Sequence, residues 1–316
     1  MNKPISSLPS MPHRCGTISI IGRPNVGKST LLNRLLGEKV AIVSPKPETT
    51  RDRILGILTL PQAQILFLDT PGIYRGPKTL LAKHQIQAAR QALAEADGVI
   101  LMTEARAGLA ETDAQIIKLL PKKDSSIPAL LCINKVDRVE KEFLLPQIEQ
   151  AKALYPFREI VPISATKGDN VKELLGAVIK FLPEGPALYP PDTLTDKPLR
   201  VQAQELIREK VLLFTHEEIP HAVAVLVEEW RPGTPSARGE LPGAPQKTFI
   251  RATLYVERDS QKGILIGKQG ALLKRIGQAG RQEIEQLTGG PVFLELWVKV
   301  AKNWRKDPKH LKIFGF

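Results

Sequence analysis

The chain has 316 residues, 42% of them hydrophobic and 25% charged, and carries a formal net charge of +12. That length and balance suit a globular protein of about two ordinary domains and exclude a composition-driven disordered chain. No stretch approaches the ~20 apolar residues of a membrane-spanning helix, and two cysteines, Cys15 and Cys132, with no CxxC pair exclude a disulfide framework.

Residues 1–15, MNKPISSLPSMPHRC, hold one early lysine and no apolar run, which excludes a secretory signal and predicts a disordered leader. From Thr17, TISIIG is an apolar run that feeds a glycine turn. KSTLLNRLLG then sets Leu31, Leu32, Leu35 and Leu36 at helical spacing, with Gly37 where a C-cap falls. Apolar runs follow at 65–69 (ILFLD), 98–103 (GVILMT), 129–134 (ALLCIN) and 159–164 (EIVPIS). Helical patterns lie between them, around 80–96, 111–120 and 171–182. Short buried strands alternating with helices predict, over 16–183, an α/β domain with a mostly parallel sheet and helices on both faces. Cys132, inside an apolar run, reads as a small buried residue, and a reducing cytoplasm is its natural setting.

Residues 184–198 are proline-rich and read as a linker. Beyond them the alternation changes. A helix over 199–214 leads to an alternating strand over 221–230, and a Pro/Gly-rich insertion covers 231–246. A second strand (249–258), two helices flanking IGKQG, a strand over 291–300 and a basic closing helix complete an α+β domain over 199–316. Residues 247–316 hold 14 Lys/Arg against 6 Asp/Glu, which points to a polyanionic partner or, more simply, a solubilising face.

Four spaced motifs carry the chemistry of the first domain. Gly22-Arg23-Pro24-Asn25-Val26-Gly27-Lys28-Ser29 fits GxxxxGK[ST], follows a strand and opens a helix. Backbone N–H groups of such a loop form an anion nest at a helix N-terminus. Gly22, Asn25, Val26, Gly27 and Thr30 are expected to line the nucleotide, with Lys28 reaching the β- and γ-phosphates and Ser29 ligating Mg²⁺. Asp69-Thr70-Pro71-Gly72 ends the next strand, so Asp69 can hold Mg²⁺ through water and the Gly72 amide can touch the γ-phosphate. Asn134-Lys135-Val136-Asp137 selects the base, because a carboxylate accepts from guanine N1–H and the 2-amino group. Asn134 tethers loops and the Lys135 stem covers the base. Ser164-Ala165 can offer a backbone N–H to guanine O6.

GRPNVGKS, DTPG, NKVD and SA in this order are similar to the translation-factor-related P-loop GTPases. The resemblance implies that Pro47-Glu48-Thr49-Thr50-Arg51 is the first switch, with Thr50 closing on Mg²⁺, and that 73–90 form the second. One departure stands out: Ile73 occupies the place of the water-orienting glutamine of Ras-like GTPases. Related GTPases with this PN-x-GKS loop use K⁺ at the phosphates, so K⁺ aided by Asn25 is the expected replacement, with Lys28, Thr50 and Gly72 completing the catalytic set.

In the second domain, Ile264-Leu265-Ile266-Gly267-Lys268-Gln269-Gly270 joins an apolar helix end, a GxxG turn and a further helix, the pattern of a KH domain. Such a loop clamps the backbone of about four single-stranded nucleotides. Ile264 and Ile266 are expected to floor the groove, with Gly267, Lys268, Gln269, Gly270 and Lys274 along the RNA. The element order resembles a type II KH domain. From about Thr17 to the ending LWVKVAKNWRKDPKHLKIFGF, the chain closely resembles the bacterial Era family. That resemblance implies binding to the 3′ end of 16S rRNA, a role in maturing the 30S subunit, peripheral association with the inner membrane and a monomeric state. A nucleotide-sensing scaffold and a phosphotransferase are the competing classes, and the second leaves NKVD and SA unexplained.

Overall fold

The computed structural model describes residues 13–73, 80–122, 127–232 and 247–315. The described residues fall into two units. The first takes in residues up to Val40, Arg53–Ile73 and Ala88–Asp196. The second takes in Ala41–Asp52, the residues from Leu80 to Gln87 and those from Lys197 onward.

The first unit contains β1 (Arg14–Gly22), α1 (Lys28–Leu36), β2 (Ile54–Leu60), β3 (Ala63–Asp69) and the residues from Ala88 on of α2 (Leu80–Ala94). It continues through β4 (Gly98–Glu104), α3 (Glu111–Ile117), β5 (Ala129–Asn134), α4 (Leu144–Leu154), β6 (Glu159–Pro162) and α5 (Val171–Phe181). The strand order is β2-β3-β1-β4-β5-β6, parallel except for β2 against β3. Every residue of β3 and β5 is buried, as expected when both faces of a parallel sheet are covered. Ile21, Val99, Leu101 and Leu131 pack on one side with Ala89, Ile116 and Ala151 of α2, α3 and α4. Chain order reverses at β1, which lies between β3 and β4, so its C-terminal end opens on a crevice suited to a ligand.

Two features differ from the sequence expectation. The sheet has a sixth strand, β2, which makes a hairpin with β3; its run ILGILTL has no alternation and becomes a strand only through that pairing. The proline-rich stretch is not free of the first unit. Leu188 and Tyr189 amides donate to Gln64 Oε1 (2.7 and 2.9 Å), and Ile57 N–H donates to Leu194 O (2.8 Å). Of the expected leader, residues 1–12 lie outside the described residues, and β1 begins at Arg14. Cys132 is fully buried.

The second unit contains α6 (Leu199–Phe214), α7 (Ile219–Ala222), β7 (Ala224–Arg231), β8 (Thr248–Val256), α8 (Asp259–Ile266), α9 (Ala271–Thr288), β9 (Val292–Val300) and α10 (Pro308–Ile313). β8 is central, antiparallel to β7 and parallel to β9. Ile250, Ala252, Leu254 and Val256 of β8 alternate inward against Ile207 and Val211 of α6 and Ile276 and Ile284 of α9. The expected strand over 221–230 starts later, because Ile219–Ala222 close one helical turn first. Most of the expected insertion, 233–246, lies outside the described residues.

Candidate nucleotide site and nucleic-acid interface

Gly22 ends β1 and Lys28 starts α1, so the loop between them sits at the crevice. Lys28 is buried, and its Nζ donates to the carbonyls of Gly22 (3.2 Å) and Arg23 (2.9 Å). Burial pushes its ammonium down to about 8, and Asp69 opposes that shift. Val26 is buried beneath the loop, Asn25 is exposed in a left-handed conformation (φ 62°), and Thr30 is half-buried in the first turn of α1. Arg23 Nε donates to Asp113 Oδ1 (2.8 Å), while burial raises the Asp113 carboxyl against bonds from Ala110 N–H and Arg23.

Ser29 Oγ donates to Asp69 Oδ2 (2.6 Å), and Asp69 is fully buried at the end of β3. A hydroxyl and a carboxylate meeting beside a phosphate-type loop are hard oxygen donors of the kind Mg²⁺ takes, so the residues fit that ion. Thr50, the other expected ligand, belongs to the second unit. Gly72 presses on the loop: a Cβ there would stand 2.6 Å from Pro24 N, so only glycine lets the two backbones approach. Ile73 N–H donates to Gly22 O (3.1 Å), and its side chain is buried among Ile21, Ala89 and Leu101. A buried isoleucine has no group with which to orient water. Of the expected second switch, 74–79 lie outside the described residues.

The base-side residues lie together, at and beyond the ends of β5 and β6. Asn134 ends β5 and bridges two loops, donating from Nδ2 to Val26 O (2.8 Å) and accepting at Oδ1 from Ala165 N–H (2.9 Å). Lys135 Nζ reaches Asn25 O (2.8 Å) and Glu104 (3.0 Å), which lays its stem between the motifs. Asp137 stands in a short 3-10 turn, and its Oδ1 is buried with no hydrogen-bond partner. Hydrogen bonding from Ser164 holds the carboxyl below its ordinary value. A buried unpaired carboxylate oxygen is costly unless a ligand donates to it, and guanine supplies such donors. The Ala165 N–H, expected to face guanine O6, donates here to Asn134 Oδ1. Sequence reading also missed Arg34, whose Nε donates to Ala165 O (3.0 Å) and which also bonds Thr166 O. An arginine in the last turn of α1 carries no local signal for that role.

In the second unit, Gly267 ends α8 with φ 71°, and Gln269 and Gly270 follow at φ 52° and 80° before α9 begins. This sharp reversal leaves Lys268, Gln269 and Lys274 exposed, while Leu265 anchors the loop in the core. The two isoleucines divide: Ile264 is 50% exposed beside the loop, whereas Ile266 packs partly into the core.

Residues 17–135 match the family model described as a 50S ribosome-binding GTPase, and 218–305 match a KH domain model. A curated protein named GTPase Era from Geobacter metallireducens is 50% identical over 305 residues, covering 96% of this chain and 98% of the relative. Its namesake from Geotalea uraniireducens is 49% identical over 303 residues, with the same coverage. A crystal structure of Era in complex with MgGDPNP and nucleotides 1506–1542 of 16S ribosomal RNA superimposes with a TM-score of 0.90 at 44% identity, covering 96% of this chain and 99% of that one. The structure of Aquifex aeolicus Era Y63A bound to GDP.AlF4⁻ gives 0.89 at 43% identity, covering 96% and 99%. By sequence and fold together, the chain belongs to the Era family of GTPases.

Proposed function

We propose that this GTPase is a nucleotide-driven switch that binds the 3′ end of 16S rRNA and assists maturation of the 30S ribosomal subunit. The observation that carries the reading is the pairing, in one chain, of a guanine-type pocket with an exposed GxxG loop. A relative of the same architecture holds MgGDPNP and a 16S rRNA segment together. Lys28, with the amides of Gly22, Asn25, Val26, Gly27, Ser29 and Thr30, stabilises charge on the transferred phosphoryl group. Gly72 contacts the γ-phosphate, Thr50 is the switch threonine, and Asn134, Lys135, Asp137, Ser164 and Ala165 select guanine. Ser29, Thr50 and, through water, Asp69 would hold Mg²⁺, which would supply charge neutralisation for the phosphoryl transfer. Water attacks the γ-phosphorus, the bond to the bridging oxygen breaks, and GDP leaves with the electron pair. The protein contributes position and electrostatics rather than a covalent intermediate.

With Ile73 in the core, K⁺ near Asn25 is the proposed source of the charge that a glutamine or arginine supplies elsewhere. Turnover in KCl is expected to exceed turnover in NaCl by about tenfold or more, the effect of ~1.4 kcal/mol at the barrier. Equal rates in the two salts sink this part of the reading.

Along the GxxG loop, Gly267, Lys268, Gln269, Gly270 and Lys274 are assigned to the RNA backbone, with Ile264 and Ile266 beneath the bases. Lys268→Asp is a cleaner variant than Gly267→Asp, because a Cβ at Gly267 would stand 2.9 Å from Leu272 Cβ and strain the loop. Lys268→Asp is expected to weaken RNA about tenfold and reduce the salt slope, with GTP affinity unchanged. Loss of both ligands would argue against separable sites. The basic C-terminal residues also fit weak attraction to anionic lipid, and among the described residues no helix is long and apolar enough to cross a membrane. The proposed working form is a cytoplasmic monomer with a GTPase domain over 16–183 and an RNA-binding domain over 199–316.

The deciding experiment is GTP hydrolysis in KCl with and without an RNA of the 16S 3′ end. A change in turnover on RNA binding joins the two domains in one switch. RNA that binds without changing turnover leaves an uncoupled GTPase and RNA binder, and RNA that does not bind overturns the partner.

A further inference from the structure

The segment between α1 and β2 is encoded inside the first domain, yet Ala41–Asp52 are part of the second unit. Ile42 is buried in the core built by Leu206, Ile207 and Val211 of α6. Val43 N–H donates to Glu209 Oε1 (3.0 Å), and Arg208, itself buried and paired with Glu205, donates to the carbonyl of Thr49. Glu48 meets His221 at 3.3 Å.

The strongest of these attachments is Arg51. Its guanidinium is 2% exposed, donates from Nη1 to Val223 O (2.6 Å) and from Nη2 to Pro220 O (3.1 Å), and lies 5.5 Å over the Trp304 ring. Trp304 is fully buried and fixed by its own bond, Nε1 to Ala222 O (2.7 Å). Carbonyls at the end of a helical turn and an aromatic face are both favourable partners for a cation. Burial and the nearby Arg208 disfavour the charge, and Glu205 and Glu48 offset them. The tail after β9, which holds Trp304, Leu311 and Phe314 in one small core, thus supplies the surface on which this arginine rests.

Thr50 sits between two held neighbours: the carbonyl before it is bonded by Arg208, and the side chain after it is clasped at Pro220, Val223 and Trp304. We propose that Arg51 is a positioning residue for GTP hydrolysis, acting through Thr50, so that the C-terminal module and its tail set the first switch. The proposal rests on the reading of Thr50 as the switch threonine. A threonine whose flanking backbone is free to wander reaches its working position in a smaller fraction of complexes, which lowers the rate of chemistry without loosening the nucleotide.

The test is steady-state GTP hydrolysis by the full chain carrying Arg51→Ala, Arg51→Lys, Thr50→Ala or Arg51→Ala with Thr50→Ala, alongside GDP affinity. Arg51→Ala is expected to lower kcat by about 10- to 100-fold with GDP affinity unchanged. Arg51→Lys, which keeps the charge but not the two-carbonyl fork, should fall between it and the parent, and it serves as the readout if Arg51→Ala does not fold. The double variant should be no slower than Thr50→Ala, because a residue acting only through Thr50 has nothing left to position. A full additional loss in the double variant, or an unchanged kcat in Arg51→Ala and Arg51→Lys beside a slow Thr50→Ala, overturns this proposal alone. An unchanged kcat in Thr50→Ala overturns the switch assignment and this proposal with it.

Discussion

Asp137→Asn is expected to exchange guanine for xanthine nucleotides. The carboxylate oxygen Oδ1 is buried with no partner, and Ser164 already favours the ionised form, so the group is prepared to accept two donors from a base. An amide in its place turns one acceptor into a donor, which faces the guanine 2-amino group and pairs instead with the C2 oxygen of xanthine. Hydrogen bonds to charged groups contribute about 1.5–3 kcal/mol each. Losing one lowers GDP affinity by about 10–10²-fold. Competition of GDP and XDP for the variant, followed by turnover of GTP and XTP, measures the exchange. An unaltered preference for guanine would remove Asp137 from the base pocket.

Gly72→Ala should separate binding from hydrolysis. The added Cβ would meet Pro24 N at 2.6 Å and Pro24 Cα at 2.7 Å, and both are backbone atoms that cannot rotate away. Either the phosphate loop or the DTPG turn must shift, and the Gly72 N–H shifts with it. Removing one preorganised donor from a developing anion costs about 10²–10³-fold in kcat. Asn134 and Asp137, the proposed base contacts, do not touch this glycine, so GDP affinity is expected to fall less than kcat. Single-turnover hydrolysis beside GDP titration gives both numbers. Normal hydrolysis by the variant would show that the Gly72 amide does not serve the γ-phosphate.

The same logic explains which parts of the protein were readable before folding was considered. The phosphate loop, DTPG, NKVD and GxxG act through backbone directions set within a few residues, so their spacing carries the geometry with it. Asn134 bridging to Val26 and Ala165 follows from such motifs meeting at the ends of neighbouring strands. The parallel sheet was equally plain, because strands buried on both faces need uninterrupted apolar runs.

Tertiary structure alone decided the remainder. β2 is a strand because β3 pairs with it, and the proline-rich stretch is tied down because Gln64, more than 120 positions earlier, accepts its amides. Arg51 bonds the carbonyl of Val223 across 172 positions. A short motif specifies local dihedral angles and side-chain chemistry, and that was enough to mark the phosphate-type and GxxG loops. Which distant carbonyl or ring receives a side chain depends on how helices and strands pack, and no local pattern encodes that. The phosphate-type, base-side and GxxG loops were therefore written in the motifs, whereas the inclusion of Ala41–Asp52 in the C-terminal unit became visible only when the folded chain brought Arg51 to Pro220, Val223 and Trp304.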